Sequence, residues 1–269
     1  MSPDADDWND SYGAEVYADV AGGGELYPRL ARCLVEWLGP EAGERILDLA
    51  CGSGLVAAEA LAAGAGRVVG LDRAPAMVAV ARRHVPDSAA VFVAGDPGRL
   101  PFADGSFEGA ACSAALWHFP QLFHSFQELS RCLMPGGRFA CNIPLAQLRG
   151  EADLPPAPLQ LALARWGEHL FGAPPAPGGP ELDMEALLSQ ARMAGLSLAR
   201  EERIDVLVSQ QEMVDLIHVP AIGSRFYPET SIEERDDWLH RACRRLDLSE
   251  RVPVRWWCVL LKADPIFPP

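Results

Sequence analysis

Apolar positions fall into two alternating rhythms over the first half of the chain. Short, nearly continuous apolar runs occur at 45–50 (RILDLA), 67–71 (RVVGL), 90–94 (AVFVA), 107–113 (FEGAACS) and 138–143 (RFACNI). Between them lie segments with helical character: 54–63, stopped at Gly64; 75–84, with Pro75 in its first turn; and 121–133, ended before Pro135-Gly136-Gly137. Runs that are apolar at nearly every position suit strands buried on both faces. Strands alternating with helices of this length imply right-handed βαβ units and a parallel sheet.

After residue 143 the rhythm changes. Two proline-rich stretches, 154–158 (LPPAP) and 172–180 (GAPPAPGGP), bracket one amphipathic segment, LQLALARWGEHLF, so 145–180 reads as an insertion. A helix at 181–194, a strand-like stretch at 196–208 and a final strand at 253–262 complete the sheet. Two Ser-x-x-Glu capping boxes, Ser209 to Glu212 and Ser231 to Glu234, open two helices within a second insertion, 209–251. The pattern predicts an α/β fold, a doubly wound Rossmann-like sheet of seven strands, mostly parallel with an antiparallel last strand, and helical cap insertions. The expected divisions are a lid segment at 1–30, which carries Trp8, Tyr12, Tyr17 and Tyr27, a ligand-binding core at 31–144, core completion at 181–208, and the last strand and C-terminus at 252–269.

Composition narrows the function. With 269 residues, 49% hydrophobic content and a mean hydropathy of +0.03, the chain can bury a large core. A net charge of −14 and the lack of any long Lys/Arg run argue against a nucleic-acid or anionic-membrane partner. The acidic N-terminus has no apolar run, and no segment reaches the ~18 apolar residues of a membrane span, so a cytoplasmic location is expected. Seven scattered cysteines without zinc spacing read as buried thiols, not metal ligands. A monomer or homodimer acting on a small molecule is the expected assembly.

Candidate chemistry concentrates at the first strand-to-helix turn. Gly52 and Gly54 lie where the chain bends sharply and where open parallel sheets bind ligands. GSGLVA also fits a dinucleotide fingerprint, with Asp72 eighteen residues beyond Gly54, so a nicotinamide cofactor has to be weighed. Against it stand three acids, Asp48 inside the first strand and Asp72 and Asp96 at the ends of the second and third, which suit a ligand carrying positive charge, a ribose diol and an exocyclic amine.

Together, ILDLACGSG (46–54), GLDRAPAMVAVAR (70–82), GDPGRLPFADGSFE (95–108), ALWHF (115–119) and LMPGGRF (133–139) resemble class I S-adenosylmethionine-dependent methyltransferases of the small-molecule, ubiquinone/menaquinone type. The resemblance covers about residues 44–143. It implies S-adenosylmethionine as cofactor, a glycine-rich turn at Ala50, Cys51, Gly52 and Gly54, and a ribose-binding acid at Asp72. It also implies an adenine contact at Asp96 beside Pro97, Arg73 and Met77 flanking the adenosine, and Cys112 and Ser113 near the methionine moiety. Ala50 stands where many members have glycine, and Trp117-His118 where many have two histidines.

His118 is the candidate general base, with orientation of a loop as the alternative role. Tyr17, Tyr27, Trp117, Trp166, Asn142, Arg225 and Tyr227 are candidates for the acceptor pocket; core packing or surface positions compete with this for the aromatic residues and for Arg225. The expected activity is methyl transfer, to oxygen or carbon of a partly apolar metabolite. Alternatives are another reaction of the sulfonium such as intramolecular cyclisation, an NAD(P)-dependent oxidoreductase, and a non-catalytic cofactor-binding partner protein.

Overall fold

The computed structural model describes residues 7–149, 156–176 and 181–265. Helices α1 (Ser11–Gly23) and α2 (Leu26–Leu38) precede β1 (Arg45–Leu49), α3 (Leu55–Ala62), β2 (Arg67–Asp72), α4 (Pro75–His84), β3 (Ala90–Ala94), β4 (Phe107–Cys112), α5 (Leu122–Cys132) and β5 (Leu133–Pro144). Then follow α6 (Pro158–Phe171), α7 (Met184–Met193), β6 (Leu196–Ser209), α8 (Gln210–His218), α9 (Pro220–Gly223), α10 (Ile232–Cys243) and β7 (Arg251–Ala263). No helix among the described residues is long and apolar enough to cross a membrane.

The strands form one seven-stranded sheet in the order β3-β2-β1-β4-β5-β7-β6, and only β7 runs against its neighbours. Strand order reverses between β1 and β4, which opens a crevice at their carboxyl ends. Alternate residues serve opposite faces. Leu47 and Leu49 pack with Phe107, Phe126 and Phe139, whereas Ile46 packs with Leu34, Leu38 and Ala60. Trp256 and Trp257 divide the same way, each into a different core cluster. β5 begins earlier than the apolar run suggests, at Leu133. Its register to β4 jumps from Phe107–Leu133 to Gly109–Arg138, so the Pro135-Gly136-Gly137 turn lies inside the strand.

The expected lid boundary at residue 30 falls within α2, an unbroken helix whose buried stripe runs from Leu26 to Leu38 and which ends on Gly39 in the left-handed conformation. The glycine run at 22–24 makes the real break, separating α1 from α2. Ala14 and Ala18 of α1 pack on Met77 and Val80 of α4, while Leu26 and Leu30 of α2 pack on Val206, Val208 and Trp256. The insertions have their own core, with Leu159, Leu163, Val214, Tyr227 and Leu239 around Trp238, whose ring N–H donates to the Leu163 carbonyl at 2.9 Å.

Candidate active site

The β1–α3 turn needs left-handed backbone at three positions, Ala50 (φ 58°), Gly52 (φ 51°) and Gly54 (φ 87°). Only glycine takes that conformation without strain, so Ala50 is held there by its surroundings. A Cβ on Gly54 would come within 3.0 Å of Val85 and 3.4 Å of Phe92, so the α3 N-terminus seats closely on the layer below.

Asp48 lies under this turn, 1% exposed, and its carboxylate accepts the Ala57 N–H at 3.1 Å in the first turn of α3. Burial pushes its pKa from 3.8 to about 7. The folded chain therefore binds this proton more tightly than the unfolded one, and stability falls as pH rises from about 4 to about 7. Three pKa units correspond to about 4 kcal/mol. Asp48→Asn, which keeps an acceptor for Ala57, should flatten denaturant-derived stability over that range; an unchanged pH slope would show that Asp48 does not carry it.

Asp72, at the end of β2, bridges the turns that follow β1 and β2. One carboxylate oxygen accepts Gly52 N–H and the other accepts Ala74 N–H, both at 2.9 Å. A carboxylate has about four lone-pair directions, which leaves capacity for a diol. Two further amides of the turn are engaged: Cys51 N–H donates to Leu71 O (3.0 Å) and Gly54 N–H to Cys51 O (2.8 Å). A pyrophosphate would require these donors and would meet the charge of Asp72, so the turn fits a cationic ligand bearing a ribose and not a dinucleotide.

Asp72 opens onto a cavity of about 690 Å³. Ala50, Gly52, Arg73, Met77, Pro97 and Ser113 also line its sheet side. Cys51 and Asp48 border a small adjoining void of about 30 Å³, room for about one water. Gly54 and Cys112 lie buried outside the lining, and Asp96 is exposed, its carboxylate accepting Gly98 N–H at 2.8 Å, while Pro97 beside it reaches the cavity. Asn142 likewise serves from behind. It is fully buried and accepts Ala114 N–H at 2.7 Å, fixing the left-handed Ala114 (φ 54°) that turns the chain after Ser113.

The opposite wall is aromatic. α1 contributes Tyr17, α2 contributes Tyr27, and Trp8, Trp117, Phe119 and Phe226 join them. Tyr17 stacks edge-on to Trp8 at 5.1 Å and to Tyr27 at 5.9 Å. Burial pushes Tyr17 well above 10 and Tyr27 up to about 12, so both hydroxyls stay protonated. His118 and Arg225 complete this wall, with Nη1 of Arg225 3.3 Å from Nε2 of His118.

Trp166 and Tyr227 are absent from the lining. Trp166 packs against the cap core under Arg241, and the Tyr227 hydroxyl donates to the Ala173 carbonyl at 3.0 Å. Pro120, Gln147, Leu182, Ile222 and Phe226 are lining residues that sequence reasoning missed; Gln147, just past the fifth strand, carries a buried Oε1 without a hydrogen-bond partner.

The N-terminal helices and α8 are joined by side-chain hydrogen bonds at the start of α2. The Glu212 carboxylate, in the first turn of α8, accepts Glu25 N–H (2.9 Å) and Leu26 N–H (2.8 Å), capping α2 where Gly24 leaves room for it. Glu212→Ala should cost about 1–2 kcal/mol locally and raise amide exchange at Glu25 and Leu26 by roughly tenfold. Unchanged exchange there would show that the contact holds nothing.

A family described as "Methyltransferase domain" matches residues 47–141. The O-methyltransferase rstn1 of Aspergillus nomiae is 32% identical over 166 residues, covering 60% of this chain and 69% of that protein. The chain belongs to the class I S-adenosylmethionine-dependent methyltransferases. S-adenosylmethionine is accordingly its cofactor. The demethylmenaquinone methyltransferase of Beutenbergia cavernae is 44% identical over 107 residues, 40% of this chain and 43% of that one. The chain spans less than half the length of the first curated relatives it matches, 42–46%. Among solved structures, phosphoethanolamine N-methyltransferase 2 of Haemonchus contortus matches with a TM-score of 0.60 and 18% identity over 95% of this chain and 57% of that one. The [4+2]-cyclase SpnF matches at 0.59 and 21% over 88% and 81%. At such identities these two share the fold with this family member; the fold by itself does not select the reaction.

Proposed function

We propose that this chain transfers the methyl group of S-adenosylmethionine to a small, partly apolar acceptor, at oxygen or carbon. The observation that carries the reading is a single cavity with Asp72 and the glycine turn on one side and an aromatic wall on the other. Asp72 would hold the ribose hydroxyls, Arg73, Met77 and Pro97 would flank the adenosine, and Ala50, Gly52 and Ser113 would face the methionine portion. When bound, the cofactor supplies a methyl group on a positively charged sulfur. The residues' share of the work is positioning and exclusion of water, and alignment alone contributes on the order of 7–11 kcal/mol. The faces of Tyr17 and Trp117 favour positive charge beside them. The relatives named as demethylmenaquinone and 2-phytyl-1,4-naphthoquinone methyltransferases, together with the aromatic wall, favour a planar unsaturated ring as acceptor.

Calorimetric titration with S-adenosylmethionine and separately with NADH tests the cofactor. Saturable binding of the first alone is expected; binding of NADH alone would overturn the reading. Turnover with a small-metabolite extract should then yield S-adenosylhomocysteine and products heavier by one methyl. Methylthioadenosine would instead mark intramolecular attack.

A further inference from the structure

The cavity is electrically asymmetric. Asp72 stands on its sheet side and Arg225 on its cap side, with a chain of contacts between them. A Cβ on Gly52 would be 3.6 Å from Tyr17, the Tyr17 ring lies 5.1 Å from Trp8, and the Arg225 guanidinium sits over Trp8 at 5.8 Å. A cation at the Asp72 side and an anion at the Arg225 side would both be matched.

Arg225 is placed by backbone geometry. It follows α9, and its N–H donates to the Ile222 carbonyl while Gly223 packs so closely on the Ile217 carbonyl that no side chain fits there. Its contact with His118 has a chemical consequence, because guanidinium only donates. Nε2 of His118 is therefore the accepting nitrogen in that contact. The His118 ring also lies against Trp117, 5.2 Å between ring centres, and its backbone is held in a short 3-10 turn in which His118 N–H donates to Ala115 O at 2.9 Å. The charge of Arg225 already acts on one phenol in this cavity, since it favours the anionic form of Tyr27 against the larger effect of burial.

We infer that His118 and Arg225 together form the acceptor's recognition site, specific for an acidic hydroxyl on a planar ring, which His118 deprotonates and Arg225 holds as the oxyanion. The inference rests on the methyltransferase reading and names the substrate class of the same site. Nε2 has one lone pair, so it holds either Arg225 or the incoming hydroxyl. The hydroxyl displaces Arg225, its O–H bond breaks, and the proton forms the Nε2–H bond. The electron pair stays on oxygen, where it accepts the freed guanidinium N–H and is available for bond formation to carbon. The proton passes from His118 to solvent. A guanidinium with five donors can make this switch without leaving Trp8.

The test uses three two-ring probes under mildly alkaline conditions: 2-naphthol, 2-naphthoate, which is anionic without any proton transfer, and 2-methoxynaphthalene, which cannot ionise. Wild-type protein should bind 2-naphthol about tenfold or more tightly than 2-methoxynaphthalene, with growth of the long-wavelength naphtholate absorption on binding. Arg225→Met should abolish that preference and weaken 2-naphthoate equally, and Arg225→Lys should restore part of both. His118→Gln should lose the preference and the naphtholate band while 2-naphthoate binding persists. Preference for 2-naphthol that survives either removal overturns the inference, as does wild-type binding of 2-naphthoate without preference for 2-naphthol over its ether. S-adenosylhomocysteine affinity, measured on the same variants, reports an intact fold. Its absence from the wild type would defeat the methyltransferase reading separately.

Discussion

Asp72→Ala is expected to weaken S-adenosylmethionine binding by about 100-fold or more, read by calorimetry. The carboxylate has two jobs that fail together. It keeps lone-pair capacity toward the cavity, and it holds Gly52 N–H and Ala74 N–H, in the turns after β1 and β2, in place. Each charge-assisted hydrogen bond is worth about 1.5–3 kcal/mol, and 1.4 kcal/mol is tenfold in affinity. Asp72→Asn separates the two jobs. Asparagine has one acceptor oxygen, so its NH₂ must face one of those backbone donors, and an intermediate loss is expected. Full affinity in Asp72→Ala would remove Asp72 from the cofactor site.

The second large effect is expected from Trp238→Ala. Trp238 is completely buried, its indole N–H is bonded to Leu163 O, and the rings of Tyr227 (5.0 Å) and Phe226 (6.0 Å) lie against it. Truncating a buried tryptophan costs about 3–5 kcal/mol, which for a chain of this size lowers Tm by roughly 10 °C. The damage should stay in the cap, because this core is a cluster distinct from those on the sheet. Phe226 and Arg225 would lose their support while the glycine turn and Asp72 keep theirs. Acceptor-probe binding should therefore fall much further than S-adenosylhomocysteine binding. Equal losses of both would show that cap and sheet fold as one unit.

Strands β1 and β2 were legible because a strand buried on both faces has to be apolar at nearly every position, and RILDL and RVVGLD are; the edge strand β3, AVFVA, is apolar throughout although Val91 and Ala94 are exposed. The helices α8 and α10 were legible because Ser209 and Ser231 write their caps into the sequence, and both side chains accept the expected Glu212 and Glu234 N–H. α1 and α2 were not legible as helices. A glycine run ends the first, Pro28 sits near the start of the second, and the aromatic residues indicate a lid packed on the body without indicating its secondary structure. At the site, spacing identified strand ends but not which way a side chain faces. Asp72, Asp96 and Asn142 all lie at or just beyond the carboxyl ends of strands, yet only Asp72 reaches the cavity. Asn142 is turned back onto Ala114 N–H, and Asp96 onto Gly98 N–H. Gln147 and Leu182 come together through a short backbone pairing far apart in sequence, Leu182 N–H donating to Gln147 O at 2.7 Å, and Phe226 joins them in the lining from the cap, none of which a local pattern announces.

The position of β7 between β5 and β6 bears on how the chain is made. β6 is hydrogen-bonded only to β7, so until residues 251–263 have been synthesised it is a strand with no neighbour. The start of α2, Leu26 and Leu30, packs on that same β6–β7 pair, whereas Leu34 and Leu38 pack on β1 and α3, so only the first turns of the helix depend on the late pairing. The five strands from β1 to β5 can assemble earlier from nearer neighbours. Refolding should accordingly proceed in two stages, a faster one for the cofactor side and a slower one that closes the cavity, with the charges of Arg200, Glu201, Glu202, Arg203 and Asp205 guarding the unpaired β6 in between.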